Sequence, residues 1–364
     1  MPVEAAAAKG GTRPPIKVAK RLIKRTVSDL FEKTGLVVIS KKTRDRIVQM
    51  SPEAAGMLWV PTRPAGQGAA LDEDLRRALD PANPVLADLK RRYKGHPATD
   101  HVQWDDGDVA HGVDMTTFRG DNLYVFQTRR NSEMQYYLST IYVAACDQLD
   151  AFVRLQEDGA FGAAVYEFDG RSGVSRDLLD SVLEMNFLER QIGLSQQTGL
   201  TVLEIGAGYG RLAHRMVETF PDIRRYYCAD AVATSTYLCD FYLKYRGVQD
   251  RAQSVPLDQL ERTLAGETID LAINIHSFSE CKRSVIRWWL DLIAARKVRW
   301  LMIVPNTGDD LTSAEPDGTR QDFRPDIEAR GYRLKAMRPK YEFSTSMQKF
   351  ALYPSTYFLF ERAD

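Results

Sequence analysis

From Gly199 onward the chain alternates short apolar runs with amphipathic stretches. Strands separated in this way by helices form a parallel sheet with helices on both faces. Strands are expected at about 201–205, 225–229, 252–256, 269–275 and 298–304, with helices at about 210–219, 234–246, 258–264 and 282–295. A further helix near 322–330 precedes Tyr332–Arg338 and a last aromatic strand, Ser355–Glu361. Two final strands joined by an irregular loop predict an antiparallel addition to the sheet. The fold class expected is α/β: a Rossmann-like, mostly parallel seven-stranded sheet with a C-terminal antiparallel strand pair, preceded by a mainly helical N-terminal domain.

The first strand turns through three glycines straight into a helix, Thr201-Val-Leu-Glu-Ile-Gly-Ala-Gly-Tyr-Gly-Arg-Leu-Ala213. Such a turn brings bare backbone against a ligand. A dinucleotide site takes the form GxGxxG, with loop amides facing a pyrophosphate, but here the sixth position is Arg211. The spacing is instead Glu204-x-Gly206-Ala207-Gly208-x-Gly210, and an acidic strand end suits a ligand that is positive there. S-adenosylmethionine carries a sulfonium and an ammonium and no phosphate. Its ribose calls for an acid at the end of the next strand, where Asp230 closes Tyr226-Tyr-Cys-Ala-Asp230. The competing readings are a nicotinamide dinucleotide site and a tight turn that binds nothing.

Charge divides the rest of the chain. The 49 Lys and Arg cancel the 49 Asp and Glu, a balance that argues against a dedicated nucleic-acid binder. By segment, however, residues 1–70 carry 13 basic and 5 acidic side chains, and residues 71–195 carry 13 and 22. Residues 1–60 read as a basic amphipathic arm built around Lys17–Lys33, suited to packing on the body of the protein or to peripheral contact with an anionic membrane. Residues 61–70 (PTRPAGQGAA) read as a linker, 71–195 as a mainly helical substrate or cap domain, and 196–364 as the cofactor-binding domain. Helical spacing marks Leu75–Leu79, Met134–Phe152 and Leu178–Leu188, and 123–126 and 163–168 are short strand-like runs. The N-terminus lacks the order of a secretory signal, and Cys146, Cys228, Cys239 and Cys281 form no CxxC pair, so a cytoplasmic location is expected. A homo-oligomer is compatible with the sequence.

The chain resembles the class I S-adenosylmethionine-dependent methyltransferases, and more narrowly a family of sugar O-methyltransferases of bacterial polysaccharide and glycoside pathways. The resemblance covers roughly residues 120–364 and rests on VSRDLLDSVLEMNFLER (174–190), VLEIGAGYGRLAHRM (202–216), IDLAINIHSFSEC (269–281) and YPSTYFLFER (353–362). It implies that Glu204, Gly206, Ala207, Gly208 and Gly210 form the methionine-side loop, that Asp230 binds ribose, and that Asp258 meets the adenine. A helix N-cap explains Asp258 equally well. The acceptor it implies is a sugar hydroxyl of a glycan, glycolipid precursor or glycosylated metabolite.

Ligands of an open parallel sheet lie beyond the carboxyl ends of its strands, so the loops after the fourth and fifth strands should face the substrate. The fourth ends in Asn274-Ile-His276-Ser-Phe-Ser-Glu280, and the fifth runs into Asn306-Thr-Gly-Asp309-Asp310. His276 is the first choice for the base that takes a hydroxyl proton, with Glu280 or Asp309 as its orienting or substitute carboxylate. Arg176, Asp177 and Asp180 read as a salt-linked helix face or a pocket entrance. Trp104, Tyr124, Tyr136 and Tyr137 are candidate stacking residues, and Arg119, Asp121 and Asn122 candidate hydroxyl binders. The His96–His111 loop holds three of the five histidines but no recognised ligand spacing, so no metal is assigned. The rival functions are methylation of a non-sugar natural product and a non-catalytic binding protein retaining the fold.

Overall fold

The computed structural model describes residues 71–100, 106–122, 127–128, 131–168, 170–306 and 308–363, all within one compact unit, Arg63–Asp364. The basic arm, the linker, the run 123–126, His101, Trp104 and Tyr124 lie outside the described residues.

In chain order the elements are α1 (Glu73–Ala78), α2 (Pro84–Tyr93), α3 (Asp106–Gly112), α4 (Glu133–Cys146), α5 (Ala151–Arg154), β1 (Tyr166–Phe168), β2 (Arg171–Val174) and α6 (Arg176–Ile192). The sheet region follows as β3 (Leu200–Ile205), α7 (Arg211–Thr219), β4 (Ile223–Ala229), α8 (Ala233–Tyr245), β5 (Ala252–Ser254), α9 (Leu260–Thr263), β6 (Leu271–Ile275), α10 (Arg283–Ala295), β7 (Trp300–Val304), α11 (Arg324–Glu328), β8 (Tyr332–Pro339), α12 (Thr345–Phe350) and β9 (Thr356–Arg362). Seven strands form one sheet in the order β5-β4-β3-β6-β7-β9-β8. The first five are parallel, and β9 runs antiparallel to both β7 and β8. This is the mostly parallel seven-stranded sheet with a C-terminal antiparallel strand pair that the strand and helix spacing predicts.

Side chains of β3 are buried along its whole length and leave alternately for the two faces. Leu203 and Ile205 join one core with Trp289 of α10, and Leu200 and Val202 join the other with Leu178 and Leu188 of α6. The helical segment ahead of β3 is built into both cores, since Leu86, Tyr93 and Phe118 belong to the first and Tyr136, Val143 and Phe152 to the second. Tyr93 joins three elements: its hydroxyl pairs with Thr236 Oγ1 at 2.8 Å and accepts from Leu257 N at 2.8 Å.

The helix expected over 134–152 breaks after Cys146. Asp147 accepts from Leu149 N at 3.1 Å and Phe152 N at 2.7 Å, and Asp150 adopts φ 52°, so the carboxylate organises a turn in preference to another helical residue. The irregular loop between the last two strands contains α12, started by Ser344, whose hydroxyl accepts from Met347 N. Among the described residues, no helix is long and apolar enough to cross a membrane.

Candidate functional site

Strand order reverses beside β3, where β4 continues the sheet on one side and β6 on the other. That reversal opens a crevice at the carboxyl ends of the strands. A cavity of about 500 Å³ lies there, lined among others by Glu204, Gly206, Ala207, Gly208, Asp230, His276 and Glu280. The sequence-predicted groups thus meet at one place, with three exceptions: Gly210, Asp258 and Asp309 do not line it.

Each loop glycine answers a different constraint. All three have positive φ, at 72° for Gly206, 57° for Gly208 and 86° for Gly210. A Cβ on Gly206 would overlap the Ser277 side chain, and one on Gly210 would press on Cys239 Sγ at 3.0 Å, whereas at Gly208 nothing lies within 4 Å. The loop is therefore packed at its two ends and open at its middle. Gly206 N donates to Ala229 O at 2.8 Å, tying the turn to the end of β4. Asp230 sits just beyond. Its carboxylate accepts from Gly208 N at 3.0 Å and Val232 N at 2.8 Å, bonds that orient it at the cavity wall.

Glu204 is buried and accepts from Tyr226 Oη at 2.9 Å. Burial pushes its carboxyl up to about 8; Arg211 and the Tyr226 hydroxyl pull the other way, while Glu184 and Asp230 add to the rise. Arg211, the residue that breaks the dinucleotide pattern, is committed elsewhere. It grips both Glu184 oxygens at 2.9 Å and Ser181 Oγ at 2.7 Å, which fastens α7 to α6. Tyr209 in the same loop donates to Asp177, and Arg215 one turn further on meets the fully buried Glu157 at 2.9 Å. Glu157 also receives Arg119 at 2.6 Å and Ser175 Oγ at 2.6 Å. Burial opposes its ionisation, yet Arg119 and Arg215 hold it well below the usual carboxylate range.

His276 follows β6 at φ 67°, ψ −38°, a strained conformation for a residue with a Cβ. Neighbouring Asn274 holds the junction: its Nδ2 donates to Ile205 O at 2.9 Å and its Oδ1 accepts from Phe278 N at 3.1 Å. Burial and then Arg176 push the His276 imidazole down to about 3, with Arg211 and Lys340 acting the same way and Asp180 opposing, so the ring is neutral near pH 7. Glu280 accepts from Asn306 Nδ2 at 2.9 Å.

Two expected site residues are placed elsewhere. Asp258 faces outward, with both oxygens taken by Arg92 of α2, at 3.0 Å from Nε and 2.7 Å from Nη2. The N-cap reading does not hold, because Pro256 occupies the N-cap position of that turn and no side chain caps it, and Asp258 does not line the cavity. Asp309 is exposed and accepts from the Thr356 hydroxyl. Of the proposed hydroxyl binders, Arg119 belongs to the Glu157 network, Asn122 Nδ2 donates to Phe118 O at 2.7 Å, and Asp121 receives Thr128 N at 3.0 Å. Tyr136 is buried with its hydroxyl on Gln127 O at 2.7 Å, and Tyr137 lies against Phe168 with ring centroids 5.6 Å apart. Among the described residues no three His, Cys, Asp or Glu side chains are grouped as a metal site.

Phe118, Trp289 and Tyr353, none of them expected at the site, also line the cavity, as does Asn306 of the loop after β7. Arg176, Asp177 and Asp180, read from the sequence as a salt-linked helix face or a pocket entrance, reach it from α6. Burial opposes ionisation of Asp180, but Lys340 at 2.5 Å and Arg176 at 3.2 Å keep it charged.

No family model matches the chain, and no curated protein matches it. Among solved structures it is similar to the [4+2]-cyclase SpnF over 64% of this chain and 97% of that one, at 14% identity and a TM-score of 0.37. It is similar to an S-adenosylmethionine-dependent methyltransferase from Clostridium acetobutylicum over 50% and 91%, at 8% identity and a TM-score of 0.36. The structure of TrmK from M. capricolum in complex with S-adenosylhomocysteine matches over 48% and 68%, at 12% identity and a TM-score of 0.32.

Proposed function

We propose that the cavity binds S-adenosylmethionine and that the chain is an O-methyltransferase. The observation that carries this reading is the glycine loop, open only at Gly208, beside a carboxylate fixed by that residue's own amide. A carboxylate so oriented suits two adjacent ribose hydroxyls, and the apolar wall of Phe118, Val232, Leu238 and Trp289 suits a flat base. Glu204 supplies a buried acid where a cationic ligand end would be stabilised. When bound, S-adenosylmethionine provides an electrophilic methyl carbon on a sulfonium. Transfer to a hydroxyl releases one proton; with its pKa pushed down to about 3 the neutral His276 imidazole is suited to orient that hydroxyl by accepting its hydrogen bond, and the Glu280 carboxylate is the cavity group suited to receive the proton.

The finer reading is that the hydroxyl belongs to a sugar and that residues 71–195 supply the acceptor wall. It is supported by the likeness of 174–190, 269–281 and 353–362 to sugar O-methyltransferases and by the reach of Arg176 and Asp180 into the cavity.

Calorimetry with S-adenosylmethionine, S-adenosylhomocysteine and NADH tests the donor assignment. Both sulfur compounds are expected to bind and NADH is not; binding of NADH alone overturns the reading. Asp230→Ala should weaken both sulfur ligands by about 10- to 100-fold, the range for losing hydrogen bonds to a charged group. Incubation with methyl-labelled donor and a panel of glycosides, followed by mass spectrometry, tests the acceptor: label on an aglycone and on no sugar removes the sugar reading.

A further inference from the structure

Tyr353 is an exposed aromatic residue held in place with unusual thoroughness. It is 39% exposed and lines the cavity. Its φ is 23°, in the half of the map that residues with a Cβ avoid, and Pro354 follows it. Three tethers maintain the conformation. The carbonyl accepts from Lys340 Nζ at 3.3 Å, and that ammonium is itself buried against Asp180. The hydroxyl donates to Asn306 O at 3.1 Å, with Asn306 Oδ1 at 3.2 Å. The guanidinium of Arg176 lies over the ring, 5.3 Å from its centroid.

A tyrosine used for packing would be buried, and one used as surface filler would not be strained. Strain that the surroundings sustain gathers at ligand clamps and active sites. The His276 ring stands 6.3 Å away by centroids, and Asn306, which receives the Tyr353 hydroxyl, also donates to Glu280. The ring is thus indexed to both groups assigned to the acceptor hydroxyl. Planar aromatic faces carry other rings well, with a geometric preference that plain apolar surface lacks.

We propose that Tyr353 is the platform on which the acceptor's ring stacks, and that the Lys340, Asn306 and Arg176 tethers fix the acceptor hydroxyl in register with His276. This rests on the methyltransferase reading and assigns the acceptor half of its site. Tyr353 is here a specificity-determining residue. Stacking brings one ring face of the acceptor to the protein, and the tethers set which hydroxyl of that ring is presented.

The test uses the full-length protein saturated with S-adenosylhomocysteine and a panel of methyl glycosides of common hexoses and pentoses, observed by saturation-transfer difference NMR. At least one glycoside should receive saturation mainly at the C–H groups of one ring face. Tyr353→Ala should weaken that binding about tenfold, near the upper end for one aromatic contact, while S-adenosylhomocysteine affinity by calorimetry stays within twofold. Tyr353→Phe should retain the signal at reduced affinity, because it keeps the ring and loses the Asn306 tether. The proposal is overturned if no glycoside binds, if binding survives Tyr353→Ala unchanged, or if that variant loses S-adenosylhomocysteine instead. Absence of S-adenosylhomocysteine binding by the unaltered protein would overturn the methyltransferase reading itself, which separates the two failures.

Discussion

The two halves of the cavity, the proposed donor half and the proposed acceptor half, are built in opposite ways. The donor half comes from one short stretch of chain and its neighbour: β3, the glycine turn, the start of α7, and Asp230 at the end of β4. The acceptor half is assembled from distant pieces, with Arg176 and Asp180 on α6, His276 and Glu280 after β6, Asn306 after β7 and Tyr353 before β9. A site made by local chain geometry is fixed by steric rules that tolerate little change. A site made by convergence is fixed by tethers, and its chemistry can vary while the fold stays.

That contrast can be broken most sharply in the turn itself. Gly206→Ala places a methyl group into Ser277 at φ 72° and should lower Tm and abolish S-adenosylhomocysteine binding, whereas Gly208→Ala meets no protein atom and should cost the fold only the strain of its φ, roughly 1–2 kcal/mol, its methyl group acting on the ligand instead. Equal losses of Tm in the two variants, read by thermal melting without ligand, would show that the loop is not sterically anchored at its ends. On the acceptor side, His276→Ala should leave S-adenosylhomocysteine affinity within twofold and lower turnover by up to about a hundredfold, through loss of the group that orients the hydroxyl. Because the imidazole titrates only near 3, the pH–rate profile should show no limb near 6.5 from this group.

A smaller effect should distinguish the halves by pH. With its pKa raised by burial to about 8, Glu204 is protonated in the free protein below that pH, and a cationic ligand favours its ionised form. Affinity for S-adenosylmethionine should therefore rise with pH by up to about tenfold per unit between pH 6 and 8 and level off above, with release of a proton on binding. Glu204→Gln should flatten that slope. The sign for stability is the reverse: a carboxyl whose folded pKa is raised favours the folded state in acid, so its contribution declines as pH rises from about 4.5 toward 8. The smallest expected change is at Asp258. Asp258→Asn weakens only the link to Arg92, and S-adenosylhomocysteine affinity should stay within twofold; a larger loss by calorimetry would return Asp258 to the donor half.

What could be read in advance follows the same division. The parallel strands and their helices were legible because each is a run of the right length and period, and the glycine loop because a strand, three glycines and a helix lie consecutively. Asp230 was legible as the end of the adjacent strand. Asp258 occupies a comparable position in chain order, but Arg92, 166 residues earlier, claims both its oxygens, and no local pattern announces that pairing. Tyr353 sits in a recognisable motif, yet its strained backbone and its tethers to Lys340, Asn306 and Arg176 exist only once four elements have converged.

The side chains that fasten the glycine loop give it a history as well as a shape. Tyr209, Arg211 and Arg215 hold Asp177, Glu184 and Glu157, all of which precede β3. A fragment starting at residue 196 would carry every glycine and lose all three anchors, exposing two guanidinium groups and a phenol shaped for partners that are gone. The loop is therefore not a portable cassette. Recombination that exchanged the upstream helices between related chains would have to bring along matching residues in α7, so the two segments should pass from ancestor to descendant as a linked pair.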